Sequence, residues 1–347
     1  MITILDESKK IKKIDFDEMA KKLEEMPKEY QKAWQESEKI KLPKDYQNFQ
    51  QIIVCGMGAS AIGGDLAKNF SKMPIFVNRD YILPKFANKK SLIVLISYSG
   101  NTEETLNCLE EAKKNKNKVF IITSNGNLLK NAQKLKLPFY KIEYSSVPRL
   151  ALPYLFTPLL KILEKLNFLK NTINFEKAFS SLSSFNDKNS LKTAEKNNFA
   201  KQLSQKIHNR LPIIISSGDL KGIARRWKTQ FNENAKNCSF FDTLPELKHN
   251  TIEGLIFPRQ IKNNLIFLLI QSNFDNTQIK NSFPLLKEFL KKEKLSFEVV
   301  NIQENDLFSQ NLSLLCLGDW LSFYLSILNQ INPSPVKKID WLKNLKQ

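Results

Sequence analysis

The chain has 347 residues, 42% of them apolar and 25% charged. That composition excludes a disordered or fibrous protein and suits about two domains of ordinary size. Basic residues outnumber acids 53 to 35, for a formal net charge of +18. The lysines are scattered among acids rather than gathered into the stripe of a nucleic-acid face, so no nucleic-acid partner is expected. A positive field of this kind gathers small anionic substrates.

Residues 1–48 read as Lys/Glu-rich amphipathic helices packing on the domains, and residues 1–15 carry no apolar signal-peptide core. From Gln51 the pattern changes to short apolar strands at 51–54, 75–77, 92–96, 119–122 and 139–142, separated by helical stretches such as 61–70 and 102–114. Strands joined by helix-length crossovers give a parallel sheet covered on both faces. An apolar helix over 150–169 comes next, then a Ser/Asn/Lys-rich helical linker over 171–192. Alternation then resumes, with strands at 213–216, 239–241, 265–270 and 297–302 and helices at 222–231, 281–292 and 312–328. The expected organisation is an N-terminal helical segment (1–48), a first α/β domain (49–170) and a second built to the same plan (190–347). A turn at Pro333 and Pro335 leads to a short amphipathic helix running to Lys346.

The longest apolar runs, such as 265–270, fall far short of the roughly 18 residues of a membrane span. The apolar run of 312–328 is broken near its middle by Gly318 and Asp319. A cytoplasmic protein with no membrane partner is the expectation. The four cysteines are dispersed and only two histidines exist, so neither a disulfide framework nor a zinc-ligand spacing is present. No metal is expected.

Two loops carry the functional signal. The first strand runs into Cys55-Gly56-Met57-Gly58-Ala59-Ser60-Ala61, where glycines between strand and helix bring helix-start N–H groups close to an anion. Gly58 frees the backbone and Ser60 adds a hydroxyl donor. Taken alone, Gly56-x-Gly58-x-x-Ala61 also fits a dinucleotide fingerprint, with Arg79-Asp80 where a ribose reader would stand. The third strand decides otherwise. It ends in Ser97-Tyr98-Ser99-Gly100-Asn101-Thr102, three hydroxyls in six residues around a helix start. Such a loop suits a compact tetrahedral dianion held by neutral donors, namely phosphate.

With Glu103-Glu104-Thr105 next in the chain, these loops resemble the signature of sugar isomerase (SIS) domains. Ser146-Val147-Pro148-Arg149, Phe231-Asn232-Glu233-Asn234-Ala235-Lys236, Pro245-Glu246-Leu247-Lys248-His249-Asn250 and the Pro333-Ser334-Pro335-Val336 ending narrow the resemblance to the bifunctional phosphoglucose/phosphomannose isomerase family. It implies an α/β fold of two SIS-type three-layer αβα domains, each with a central mostly parallel sheet. It also implies a homodimer whose active site is shared between subunits. The implied reaction interconverts hexose 6-phosphates through an enediol, without metal or cofactor. Two other readings are a non-catalytic sugar-phosphate-binding SIS regulator and an NADP-dependent oxidoreductase.

Aldose–ketose isomerisation needs a base between C1 and C2, a group that opens the sugar ring, and a cation beside the enediolate. The resemblance assigns these to Glu233, His249 and Arg149, with Lys343 and Ser334 contributing from the C-terminus. Partial burial would strengthen Glu233 as a proton acceptor, and an imidazole both gives and takes a proton near neutral pH. One base serving both C2 epimers requires rotation about C2–C3, for which a small Ser334 leaves room. His208 is given no role, and Arg225 and Arg226 are expected to form surface salt bridges. Two residues depart from the family pattern, both standing where glycine is usual: Ala59 beside the phosphate backbone, and Pro153, which makes the start of the helix after Arg149 uncertain.

Overall fold

The computed structural model describes residues 3–345. It divides the chain into two compact units, Met26–Phe179 and a second formed by Met1–Glu25 with Ser180–Gln347. Two helices, α1 (Ser8–Ile14) and α2 (Met19–Glu36), precede the first strand.

The first unit then runs β1 (Gln51–Cys55), α3 (Ala59–Ala67), β2 (Ile75–Asn78), β3 (Ser91–Ser97), α4 (Glu103–Lys114), β4 (Lys118–Thr123), α5 (Gly126–Lys134), β5 (Phe139–Lys141) and α6 (Leu152–Lys165). Its sheet has the order β2-β1-β3-β4-β5, and every pairing is parallel. All seven residues of β3 are buried, as an unbroken apolar run in a sheet covered on both faces requires. One face packs Ile53, Ile93, Leu95, Val119 and Ile121 against Cys108, Leu109 and Leu128 of the helices. On α3, a Cβ at Gly64 would lie 2.9 Å from both Val54 and Val77 side chains, so only glycine lets this helix settle onto the sheet.

After α7 (Phe175–Asn189), the second unit continues with α8 (Phe199–Ile207), β6 (Leu211–Ser217), α9 (Lys221–Glu233), β7 (Phe240–Leu244), α10 (Arg259–Lys262), β8 (Leu265–Gln271), α11 (Thr277–Lys292), β9 (Ser296–Asn301), α12 (Leu307–Leu328) and α13 (Lys337–Asn344). The sheet order is β7-β6-β8-β9, again wholly parallel. Renumbered from its own first strand, this is 2-1-3-4, the first unit's order without the fifth strand. The repeated plan expected from the alternation is present. Lys346, the expected end of α13, lies outside the described residues.

The expected helix over 312–328 is present within α12, one continuous 22-residue helix in which Gly318 and Asp319 interrupt only the apolar run. A Cβ at Gly318 would stand 2.5 Å from the Trp227 ring, so the glycine marks a close approach of α9. Asp319 faces the same helix and is only 5% exposed. By length and apolarity α12 is the one helix among the described residues able to cross a membrane, and it is almost wholly buried as the core helix of its unit. One expectation is corrected: Arg226 is not a surface residue. It is 2% exposed and meets Asp319 Oδ1 at 3.2 Å, where Gln230 Nε2 also donates. Arg225 lies over the Phe241 ring.

Pro153 does not disturb the helix after Arg149. A 3-10 turn (Pro148–Ala151) leads into α6, whose first turn holds the proline. There a missing N–H has no intrahelical acceptor to lose.

Candidate active site

In the first unit, β1 and β3 are adjacent parallel strands, so the loops after them emerge side by side at the carboxyl edge of the sheet. A Cβ at Gly56 would come within 2.8 Å of Ile96 O, which measures how closely one loop passes the other strand. The strand order reverses direction here, with β2 on one side of β1 and β3 on the other. Open α/β sheets bind ligands in such a crevice.

Gly58, with φ of +51°, turns the chain into α3, and Ala59 and Ser60 open that helix in buried positions. The methyl of Ala59 is accommodated there. On the other loop Ser97 is 1% exposed, and its Oγ lies 2.8 Å from Thr102 Oγ1 while accepting the Gly100 N–H at 3.1 Å. Ser99 is exposed and its Oγ accepts the Asn101 N–H at 3.3 Å. Gly100 sits at φ +68°, where a Cβ would fall 1.8 Å from Asn125 O, so no other residue fits.

Thr102 is the N-cap residue of α4, but its side chain does not cap the helix. An ordinary N-cap hydroxyl accepts from a first-turn amide, whereas this one turns to Ser97. The Thr102 hydroxyl therefore does not occupy the opening amides of α4, the end of a helix that favours an anion. The five phosphate candidates Gly58, Ser60, Ser97, Ser99 and Thr102 therefore stand on two adjoining loops, as the spacing predicts. Thr105, one turn into α4, is a buried threonine whose Oγ1 has no partner among the described groups. In the sequence it closes the SIS-like motif but is given no role of its own.

Arg149 lies in the 3-10 turn packed on α3 and is 3% exposed. Tyr98 ties the approach to this turn to the phosphate loop: its hydroxyl accepts the Ser146 N–H at 2.9 Å and donates to Tyr144 O at 2.7 Å. Within the loop motif the sequence gives Tyr98 no role of its own. At the position of a ribose reader, Arg79 is committed to a bidentate ion pair with Asp65 of α3.

The second unit carries the remaining candidates. Glu233 is the last residue of α9, half-buried, on a cleft of about 760 Å³ that Lys236, Asn332 and Lys337 also line. Ser334 is half-buried in the turn before α13 and donates its N–H to Asn332 Oδ1 at 3.1 Å. His249 ends a 3-10 turn (Glu246–His249) and is exposed, and Lys343 is exposed on α13. The structure thus draws Glu233 and the Ser334 turn into one neighbourhood, while His249 and Lys343 are not among the residues lining the cleft. His208, half-buried, caps the end of α8.

The corresponding edge of this second sheet is filled from within. Gly218 repeats the φ of +51° seen at Gly58, but the Asp275 carboxylate accepts from Ser217 Oγ at 3.2 Å and from the Ser272 N–H at 3.3 Å. Burial pushes this carboxyl above its usual range. A phosphate would meet a carboxylate here, where the first unit has the hydroxyls of Ser97 and Thr102. Among the described residues no group of three or more His, Cys, Asp and Glu side chains is placed to hold a metal ion.

Paired parallel-sheet units with a hydroxyl-lined loop pair at one carboxyl edge define a two-domain protein of the SIS class. Residues 46–137 match the SIS domain model, and residues 196–345 match the bacterial phospho-glucose isomerase C-terminal SIS domain. A bifunctional phosphoglucose/phosphomannose isomerase of Caldicellulosiruptor bescii is 35% identical over 325 residues, covering 92% of this chain and 96% of that one. Its counterpart from Aquifex aeolicus is 33% identical over 331 residues, covering 92% and 98%. A glucose-6-phosphate isomerase-like protein from Thermus thermophilus shares the fold at 15% identity, with a TM-score of 0.65 over 98% of each chain. The chain belongs to the bifunctional phosphoglucose/phosphomannose isomerase family.

Proposed function

We propose that this protein interconverts glucose 6-phosphate and mannose 6-phosphate with fructose 6-phosphate, without metal or cofactor. The observation that carries the reading is the β1/β3 loop pair. Two helix starts and a set of neutral hydroxyls converge on one carboxyl edge, a seat for a phosphate dianion and for little else. The names of the family's members supply the hexose.

In the open-chain aldose, Glu233 takes the proton from C2, the C2–H electrons form the C1=C2 bond and the carbonyl electrons pass to O1. A proton passes from O2 to O1 across the cis-enediolate, Glu233 returns its proton to C1, and the electrons left on O2 form the carbonyl of the ketose. Arg149, whose charge is fixed at any working pH, stabilises the developing oxyanion without competing for the proton. His249 exchanges the proton that opens the ring, and Lys343 adds a second positive charge. Ser334 leaves room for the C2–C3 rotation that lets one base serve both epimers. The exposure of His249 suits a residue that completes the site of a partner subunit, and we assign the enzyme to a homodimer in the cytoplasm.

The test is a coupled assay of the purified protein on both aldose 6-phosphates with EDTA present. Glu233→Gln is expected to lower kcat at least about a hundredfold, as loss of a general base does. Saturable sugar-phosphate binding without turnover would favour a regulator. Tight NADP binding by fluorescence titration would favour the reductase.

A further inference from the structure

We propose that Lys236 is a positioning residue for the isomerisation, acting through the backbone of Glu233; the inference rests on Glu233 being the base. Glu233 ends α9, where the last helical carbonyls have no intrahelical donor. Lys236 Nζ supplies one, donating to Glu233 O at 2.5 Å. The same ammonium donates to Pro333 O at 2.9 Å. One side chain thereby joins the helix end that presents the base to the turn that presents Ser334.

The neighbouring contacts give that joint a fixed footing. Asn234 Nδ2 donates to Ser322 Oγ at 2.9 Å and Asn329 Nδ2 to Ala235 O at 3.0 Å, securing the same helix end to α12 and the residue just beyond it. The Asn237 N–H closes back on Phe231 O at 3.0 Å. Lys236 itself is left-handed, at φ +53°, as are Lys116, Lys136 and Lys294 at other helix ends. Lysine is therefore tolerated in that conformation throughout the chain, and the backbone alone does not call for an amine at position 236. The two carbonyls do. Glu233, Lys236 and Asn332 line one cleft, so the joint forms part of the wall beside the base. A carboxylate that must reach two adjacent carbons loses rate steeply with small displacements.

The experiment compares Lys236→Gly, Lys236→Arg and Glu233→Gln in steady-state isomerisation of fructose 6-phosphate, with a thermal melt of each. Glycine accepts the left-handed backbone, so Lys236→Gly removes the ammonium without endangering the fold. Its expected effect is a fall in kcat of about tenfold or more, with KM within about threefold and Tm equal to or above that of the parent. Lys236→Arg, which keeps the charge and the donors, is expected to recover most of the loss. The inference is overturned if Lys236→Gly keeps kcat within about twofold. It is equally overturned if KM rises alone, or if arginine and glycine lose activity equally. An active Glu233→Gln would instead remove the base assignment, and this inference with it; an inactive Glu233→Gln beside a fully active Lys236→Gly removes the positioning role alone.

Discussion

Replacing Ser97 by Ala and Thr102 by Val together strips two hydroxyls from the loop after β3 and separates binding from folding. The two oxygens are 2.8 Å apart and satisfy one another, so removing both leaves no stranded partner. The Gly100 N–H, which also donates to Ser97 Oγ, keeps the Ser97 backbone carbonyl at 3.2 Å. Thr102 does not cap α4, so the usual loss of about 0.5–2 kcal/mol for a missing N-cap is absent. Stability should fall by less than about 1 kcal/mol, since replacing both partners of a hydrogen bond by apolar groups is close to neutral. Binding should suffer far more. A hydrogen bond to a charged group contributes about 1.5–3 kcal/mol, and about 1.4 kcal/mol is tenfold in affinity. Two such bonds to a phosphate dianion correspond to a rise in KM of about a hundredfold or more. Phosphate is held alike in ground and transition states, so kcat should stay within about threefold. Initial rates against fructose 6-phosphate, with a thermal melt of each protein, measure both quantities. A KM within twofold of the parent, joined to a drop in Tm, would make the hydroxyls structural and refute the phosphate seat.

Asp319→Ala leaves the buried Arg226 guanidinium without its carboxylate, at a cost of about 3–5 kcal/mol. A melt should show Tm lower by roughly 6–20 °C for a unit of this size; replacing both residues by apolar ones should cost much less. The Asp275 carboxyl is raised first by burial, against the lowering hydrogen bonds from Ser217 and Ser272, with a smaller raising effect of Asp219 and a still smaller lowering one of Lys280. A raised folded value favours the folded protein most below the unfolded value near 3.8, and that advantage is lost as pH climbs through the folded value. Asp275→Asn should therefore match or exceed the parent's Tm at pH 7 and lose its relative gain on acidification. An Asn variant that destabilises equally at all pH values would contradict this. Ser334→Gln should reduce kcat/KM for mannose 6-phosphate about tenfold relative to glucose 6-phosphate, the rotation at C2–C3 being blocked; an unchanged ratio would discard the role given to Ser334.

What the amino-acid order determined by itself is local. Valine- and isoleucine-rich runs such as Gln51–Cys55 and Ser91–Ser97, alternating with helix-length segments, are enough to make two parallel-sheet units. The glycines and hydroxyls at 56–60 and 97–102 announce an anion seat because turn conformation and donor chemistry are properties of a few consecutive residues. Contacts between distant residues are not written in any short window. The charge of Asp319 reads only as an interruption of an apolar run until Arg226, 93 positions away, is seen to neutralise it inside the core. Tyr98 has no role in the sequence until its hydroxyl meets Tyr144 and Ser146. The second unit repeats the glycine turn of the first, yet only the folded chain reveals that Asp275 already fills the space between its loops. Periodicity and turn chemistry act over a handful of residues and are legible one window at a time. Which charges, hydroxyls and carbonyls meet depends on how the layers pack, and that was decided by the tertiary structure.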